Sequence, residues 1–199
     1  MDQIAIVVLA AGNASRLGQS KQLLSWGDST LMGSVLSNVL SADADKIFVV
    51  LGAYRYEIKD KIDLSQATIL INENWQSGLG SSIALAAGEI DKNHPDINGV
   101  LFVLADQPFI SSSHLNAIIK LHNEEKEAII MTRKESYRGV PVLFPRKFFS
   151  ELMLLANDEG AKQIINRNKN QVREVVTQND ITDIDNLESY KALYKIFEK

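Results

Sequence analysis

The chain has 199 residues, 45% of them hydrophobic and 23% charged, values that exclude global disorder and fibrous repeats and fit one domain over residues 1–199. With 21 Lys and Arg against 25 Asp and Glu the formal charge is −4, which disfavours nucleic-acid and anionic-membrane surfaces and leaves small-molecule chemistry as the expectation. Cysteine is absent, so disulfides, thiolate nucleophiles, Fe–S ligation and Cys-based zinc are excluded.

The chain opens with Asp2 where a signal peptide would carry positive charge, and no apolar stretch approaches the ~18 residues that span a bilayer. The expectation is a cytoplasmic protein. Residues 4–9 are a continuous β-rich apolar run, the pattern of a strand buried on both faces. In the loop that follows, the small residues Ala10, Ala11 and Gly12 let backbone N–H groups approach an anion, and Arg16 and Lys21 add two cations. The loop matches neither GxGxxG nor GxxxxGK[ST].

Asp28 or Ser29 can cap a helix with Leu31, Val35 and Val39 on one stripe. Residues 47–51 and 68–71 are further strands. Residues 72–82 end in a helix start whose N–H groups and hydroxyls suit an anionic ligand; an ordinary capped helix with Trp75 as a packed plug is the alternative. Leu79, Ile83, Ala87 and Ile90 continue that helix as an apolar stripe. Residues 92–96 form a surface turn, and residues 100–104 a fourth buried strand. Asp106 emerges at the mouth of that strand, where a carboxylate must be paired, hydrogen-bonded or bound to a cation. Mg²⁺ is the natural partner, because it takes one or two carboxylates together with substrate phosphate and water. Leu115, Ile118 and Ile119 mark the next helix.

After Ala128 the pattern changes. Residues 129–132 and 140–144 are strands whose connection is too short for a parallel crossover, so they pair antiparallel. Helices at 146–155 and 159–167 and a strand at 172–176 follow. Asp183 and Asp185 face one way in an extended segment. Leu187, Tyr190, Tyr194 and Phe197 then form a stripe expected to pack on the sheet. Alternating strands and helices give an α/β fold, a three-layer Rossmann-like sandwich with a mostly parallel mixed sheet. Its ligand loops lie beyond the carboxyl ends of the strands. His94, His114 and His122 have no zinc-ligand spacing and no GxSxG elbow occurs. Tyr54, Tyr56, Phe148 and Phe149 read as packing residues.

Five segments occur in order: Leu9-Ala10-Ala11-Gly12-x-x-x-Arg16-x-Gly18-x-x-Lys21, Asn74-x-x-x-Gly78-x-x-x-Ser82, Leu104-Ala105-Asp106-Gln107-Pro108, Gly139-Val140-Pro141-Val142-Leu143-Phe144 and Asp183-Ile184-Asp185. The set resembles the MobA-like nucleotidyltransferases, especially the molybdenum cofactor cytidylyltransferases. The resemblance implies a nucleotide-diphospho-sugar transferase type of fold. It also implies Mg²⁺-dependent transfer of CMP from CTP to molybdenum-molybdopterin, giving molybdopterin cytosine dinucleotide and pyrophosphate. Such chemistry needs positioning and charge neutralisation rather than a side-chain nucleophile. Arg16 would hold the β and γ phosphates and Lys21 the α-phosphate or leaving bridge. Asp106 would hold Mg²⁺, with Asp185 preferred to Asp183 as second ligand. Leu9, Ala10, Ala11, Gly12, Gly78 and Ser82 would wall the nucleotide, and Ala11 in place of a second glycine leans toward CTP over GTP. A molybdoenzyme or its chaperone is a further implied partner.

The sequence departs from the cytidylyltransferase pattern at Val140, where Gly-His-Pro is usual, at Asn157-Asp158, where Gly-Asp is usual, and after Asp185, where Asn186-Leu187 replaces Thr-Pro. The first two belong to the acceptor side, so the nucleotide half matches better than the pterin half. Three other readings stay open: a sugar or alditol phosphate as acceptor, a nucleotide-binding oxidoreductase weakened by the missing GxGxxG, and a non-catalytic molybdopterin carrier or chaperone.

Overall fold

The computed structural model describes residues 2–13, 20–156, 158, 160–184 and 186–197. Arg16 and Asp185, to which the sequence reading assigns roles, lie outside them. The chain begins with β1 (Gln3–Ala10), continues through a small hairpin of β2 (Ser25–Trp26) and β3 (Ser29–Thr30), and enters α1 (Leu31–Leu40). Then come β4 (Lys46–Leu51), α2 (Arg55–Lys61), β5 (Thr68–Ile71), α3 (Leu79–Asn93), β6 (Ile97–Leu104) and α4 (Ser112–Glu124). The rest is β7 (Ile129–Lys134), β8 (Tyr137–Pro145), α5 (Phe149–Leu152), α6 (Lys162–Arg167), β9 (Val172–Val176) and α7 (Leu187–Phe197). No helix among the described residues is long and apolar enough to cross a membrane.

Seven strands form one sheet in the order β5-β4-β1-β6-β8-β7-β9. Only β8 runs against the other six, pairing antiparallel with both β6 and β7. The mostly parallel mixed sheet expected from the sequence is therefore observed. Because side chains alternate along a strand, β1 feeds two cores. Ile4, Ile6 and Val8 meet Met32 and Val35 of α1 and Leu115 and Ile118 of α4, while Ala5, Val7 and Leu9 meet Ile83, Ala87 and Ile90 of α3 and Leu152 of α5. Helices thus cover both faces, which is the three-layer arrangement.

The reversal of β8 positions the site. Phe102 of β6 is paired with Val142 of β8, so the beginning of β8 lies beside the carboxyl end of β6. Tyr137, Gly139 and Val140 consequently reach the same sheet edge as the loops after β1, β4 and β6.

Several local expectations are corrected. Thr30, rather than Asp28 or Ser29, caps α1, its hydroxyl accepting from Gly33 N at 3.0 Å. The helix expected at 159–167 starts only at Lys162, because Gly160 adopts φ 58° and breaks the helical backbone. The helix expected at 146–155 is a 3-10 turn, Arg146–Phe148, followed by the short α5. The α7 stripe packs on the β2–β3 hairpin rather than on the large sheet. Its Tyr190, Tyr194 and Phe197 rings surround the buried Trp26 at centroid distances of 6.3, 5.5 and 5.1 Å, while Leu193 is the buried α7 residue. Tyr56 is 74% exposed and is no packing residue. The sequence reading missed α2 because Ile58 is its one buried side chain, so it has no apolar stripe to read.

Helix α4 carries two buried histidines, of which His114 bonds to the sheet. Thr132 Oγ1 donates to Pro141 O at 2.8 Å, so His114 Nε2, 2.9 Å from the same oxygen, is the donor to it. His122 lies 3.8 Å from Asp2 and is almost fully buried. Desolvation lowers both imidazoles from the ordinary value of 6.5. The neutral rings therefore contribute stability that is complete above the unfolded value and is lost as the pH falls through the lowered folded values. Urea midpoints are expected to fall between pH 7.5 and pH 5, and His122→Gln should flatten that dependence.

Candidate active site

The loop after β1 is shaped by its carbonyl groups. Gln22, almost fully buried, donates through Nε2 to Ala10 O at 3.3 Å and Gly12 O at 3.4 Å, and Ala53 N donates to Ala11 O at 3.1 Å. A trans peptide points its carbonyl and its following N–H in opposite directions. The N–H groups of Ala11, Gly12 and Asn13 are therefore turned away from these partners, and all three residues line one cleft. Ser20 Oγ donates to Gln22 Oε1 at 2.9 Å and fixes the amide that does the bracing. The neighbouring loop approaches closely because residue 52 is glycine: a Cβ there would lie 2.5 Å from Ala11 O and 2.8 Å from Trp75 Cβ. Gly12 is different, since a Cβ at that position would meet nothing within 4 Å and would only narrow the cleft.

Across the sheet, Asp106 stands just past β6 and is 7% exposed. Lys21 Nζ donates to Asp106 Oδ2, joining the loops after two adjacent strands. The following residue, Gln107, is fully buried and donates through Nε2 to Ile181 O at 3.0 Å and Asp183 Oδ1 at 2.7 Å. Ile184 N donates to Asp106 O at 3.3 Å, so residues 181–184 are strapped against the end of β6. Tyr137 completes this group. Burial raises its phenol above the ordinary 10.0, and the carboxylates of Asp183 and Asp106 add to the rise, so it keeps its proton at neutral pH.

A third wall comes from the start of α3. Asn72, buried directly after β5, donates through Nδ2 to Ser81 Oγ at 2.8 Å and Ser82 Oγ at 2.9 Å, and its Oδ1 accepts from Asn74 N at 2.9 Å. One side chain thus fixes both the turn and the hydroxyls that follow it. Gly78 has φ 92°, and a Cβ on it would strike Asp158, whose Cα would be 2.8 Å away. Asp158 is thereby seated at the positive end of α3.

These walls enclose two adjoining clefts. The smaller, about 340 Å³, is lined by Leu9, Ala11, Gly12, Lys21, Gly78, Ser82 and Asp106, residues that the sequence reading had assigned to one site. Ala10 is placed differently: its side chain is in the core, and only its carbonyl takes part in the loop. The larger cleft, about 900 Å³, has an apolar floor of Phe102, Val142 and Phe144 and includes Gly139, Val140 and Asp183. Arg138, Lys162 and Lys169 bring cations to it. Leu9, Leu79, Leu104 and Asp158 line both clefts. Leu79 therefore faces ligand space rather than closing the α3 core stripe.

The sequence reading passed over Gln22 and Tyr137, and it included Asn72 in the 72–82 segment without a role of its own. Asn72 carried a signal, a polar amide immediately after an apolar strand. Gln22 and Tyr137 carried none, because their partners lie on other segments.

A divalent cation fits this chemistry. Asp106 is a largely buried hard-oxygen donor that already holds a cationic group, and Asp183 is tied beside it through Gln107. Among the described residues no three His, Asp or Glu side chains converge, and Mg²⁺ or a similar ion needs only one or two carboxylates when phosphate and water supply the rest.

The family model described as MobA-like NTP transferase domain matches residues 6–173. A molybdenum cofactor cytidylyltransferase of Escherichia coli is 24% identical over 186 residues, 93% of this chain and 92% of that protein. A nicotine blue oxidoreductase of Paenarthrobacter nicotinovorans is 23% identical over 197 residues, 96% of this chain and 94% of that one. Among solved structures, Rv0371c from Mycobacterium tuberculosis is 29% identical, with TM-score 0.86 and 97% of each chain covered. The same mycobacterial protein has been solved in complex with manganese, matching at 27% identity and TM-score 0.83 over 97% of this chain and 98% of that chain.

The bracing role of Gln22 has a direct test in stability. Gln22→Ala leaves two loop carbonyls without their donor and should cost about 2 kcal/mol in urea denaturation. Gln22→Glu, which keeps the size but sets a carboxylate against the same oxygens, should cost more than the alanine.

Proposed function

The chain belongs to the MobA-like NTP transferase family, and from that premise we propose that it transfers CMP from CTP to the phosphate of molybdenum-molybdopterin, releasing pyrophosphate. The observation that carries this reading is the convergence of the glycine-edged loop after β1, Lys21 and Asp106 on one cleft that opens into a second. In an in-line displacement an oxygen of the acceptor phosphate attacks the α-phosphorus, and the bond from that phosphorus to the β-phosphate bridge breaks. No side-chain nucleophile is required, and the protein contributes alignment and positive charge.

In this reading the smaller cleft takes the nucleotide. The amides of Ala11, Gly12 and Asn13 and the side chains of Arg16 and Lys21 bind the triphosphate, and Ser82 and Gly78 wall the nucleoside. Asp106, with Asp185 or Asp183, would hold Mg²⁺, which when bound would screen charge between the triphosphate and the acceptor. The larger cleft takes the acceptor. Its apolar floor suits a flat ring system better than a sugar, and its Lys and Arg residues suit the acceptor phosphate. Val140 supplies an apolar contact where the cytidylyltransferase pattern has histidine, which makes the acceptor the less securely matched half. A molybdoenzyme or its chaperone would receive the product, and a cytoplasmic location accords with that chemistry.

One observation favours a second reading. The relative named nicotine blue oxidoreductase matches along nearly the whole chain, so a redox activity on this scaffold is the alternative. Nicotinamide fluorescence titration together with dye-reduction assays tests it, and nicotinamide binding coupled to dye reduction would favour it.

A pyrophosphate-release screen of four NTPs against molybdopterin-type and sugar-phosphate acceptors tests the main reading. CTP with the molybdopterin acceptor is expected to give the highest rate. Arg16→Ala and Lys21→Ala should each lose ~100-fold, on the order of 3 kcal/mol of transition-state stabilisation, without unfolding. Asp106→Asn should lose several orders of magnitude. A clear preference for GTP would overturn the base assignment, and near-normal release by all three variants would remove this cleft from the chemistry.

A further inference from the structure

The Lys21–Asp106 contact engages, through Oδ2, the carboxylate that a metal ion would need. Both side chains are mostly buried, 19% and 10% exposed, so water screens them little. An ammonium and a divalent cation on the same carboxylate oxygen would repel each other at close range in a poorly screened site. The two therefore compete for the Asp106 carboxylate.

The local structure allows an exchange by side-chain motion alone. The backbone of Lys21 begins a 3-10 turn, its carbonyl accepting from Leu24 N at 3.2 Å, and the adjacent Gln22 is anchored to the β1 loop. Beyond that pinned backbone the lysine has a flexible four-carbon stem and a compact charge. Lys21 and the amide-lined loop border the same 340 Å³ cleft. A triphosphate bound there would offer the ammonium several anionic oxygens in place of one carboxylate oxygen.

We propose that Lys21 is the resident counter-ion of Asp106 and is exchanged for a divalent cation when nucleotide binds. The proposal rests on the nucleotidyl-transfer reading and adds an order of events. The nucleotide-free chain holds divalent cations weakly because Lys21 competes for the carboxylate. Nucleotide draws Lys21 onto phosphate, and Asp106 is then released to the metal. Nucleotide and metal consequently bind with positive coupling, each raising the affinity for the other by the same factor. Lys21 serves twice, neutralising a buried carboxylate before substrate arrives and a phosphate afterwards.

The test is titration of Mn²⁺ alone, followed by the loss of free-ion electron paramagnetic resonance signal, against the nucleotide-free chain. Lys21→Met is expected to bind Mn²⁺ about tenfold more tightly than wild type or better, because a buried carboxylate has lost its counter-ion. The gain should vanish in the Lys21→Met, Asp106→Asn double variant. Lys21→Gln repeats the comparison with a polar side chain, and circular dichroism establishes that each variant is folded. Mn²⁺ should also raise the melting temperature of Lys21→Met more than that of wild type. Equal Mn²⁺ affinity in folded wild type and both single variants, or a gain that survives Asp106→Asn, overturns the proposal. In a second arm the α,β-methylene analogues of CTP and GTP are added. Saturation with the binding analogue should bring wild type and Lys21→Met to the same Mn²⁺ affinity, and a persistent tenfold difference would overturn the exchange. Failure of both analogues to bind would instead overturn the nucleotide-transfer reading, while the first titration still judges the counter-ion role.

Discussion

One ion pair, Lys21 to Asp106, joins residues separated by 85 positions in sequence and lines the cleft on which the proposed site depends. It exists because β1 and β6 are hydrogen-bonded neighbours, so the loops that leave their carboxyl ends emerge side by side. A buried pair of this kind adds little net stability, since the cost of removing two charges from water offsets most of their attraction. Its location beyond the carboxyl ends of β1 and β6 is where ligands bind in open α/β sheets. The surrounding hydrogen bonds serve it on both sides. Gln22 fixes the loop beside Lys21, while Gln107 and the backbone amide of Ile184 fix the segment beside Asp106.

The second cleft is a consequence of reversing one strand. If β8 ran parallel to its neighbours, its first residues would lie at the opposite edge of the sheet. Running antiparallel, it brings Tyr137, Gly139 and Val140 next to Leu104 and Asp183 and lays Val142 and Phe144 beside Phe102 as an apolar floor. The buried chain from His114 through Thr132 to the carbonyl of Pro141 holds this strand from behind, linking α4 to the wall of the larger cleft. In the proposed reading the smaller cleft takes the phosphates and the wider one, floored by Phe102, Val142 and Phe144, takes the ring system of a bulky acceptor.

The parts of this arrangement legible in the sequence were those with local signals. The continuous apolar run of β1, the small residues after it and an aspartate at the mouth of β6 each declare a position at the sheet's ligand edge. The short connection between β7 and β8 declares an antiparallel turn. What escaped was set by contacts from distant segments. Trp26 sits in a two-strand hairpin too short to read, yet it receives the aromatic face of α7 that the sequence alone directs to the sheet. Gln22 looks like any polar residue after a lysine until its amide is seen bracing the loop twelve residues earlier. The α6 boundary follows from the left-handed backbone of Gly160, which the helical periodicity of its neighbours conceals.

In the proposed reading this cleft moves the α-phosphate of a nucleotide onto a phosphorylated acceptor, with Asp106 required for the transfer. Incubating the chain with CTP labelled at the α-phosphate and molybdenum-molybdopterin, then following the label chromatographically, tests it most directly. Label is expected in a dinucleotide product in equal amount to the pyrophosphate released, and Asp106→Asn is expected to abolish both. Label that stays on CTP with every nucleotide and acceptor pair offered, or transfer that proceeds unchanged in Asp106→Asn, would contradict it.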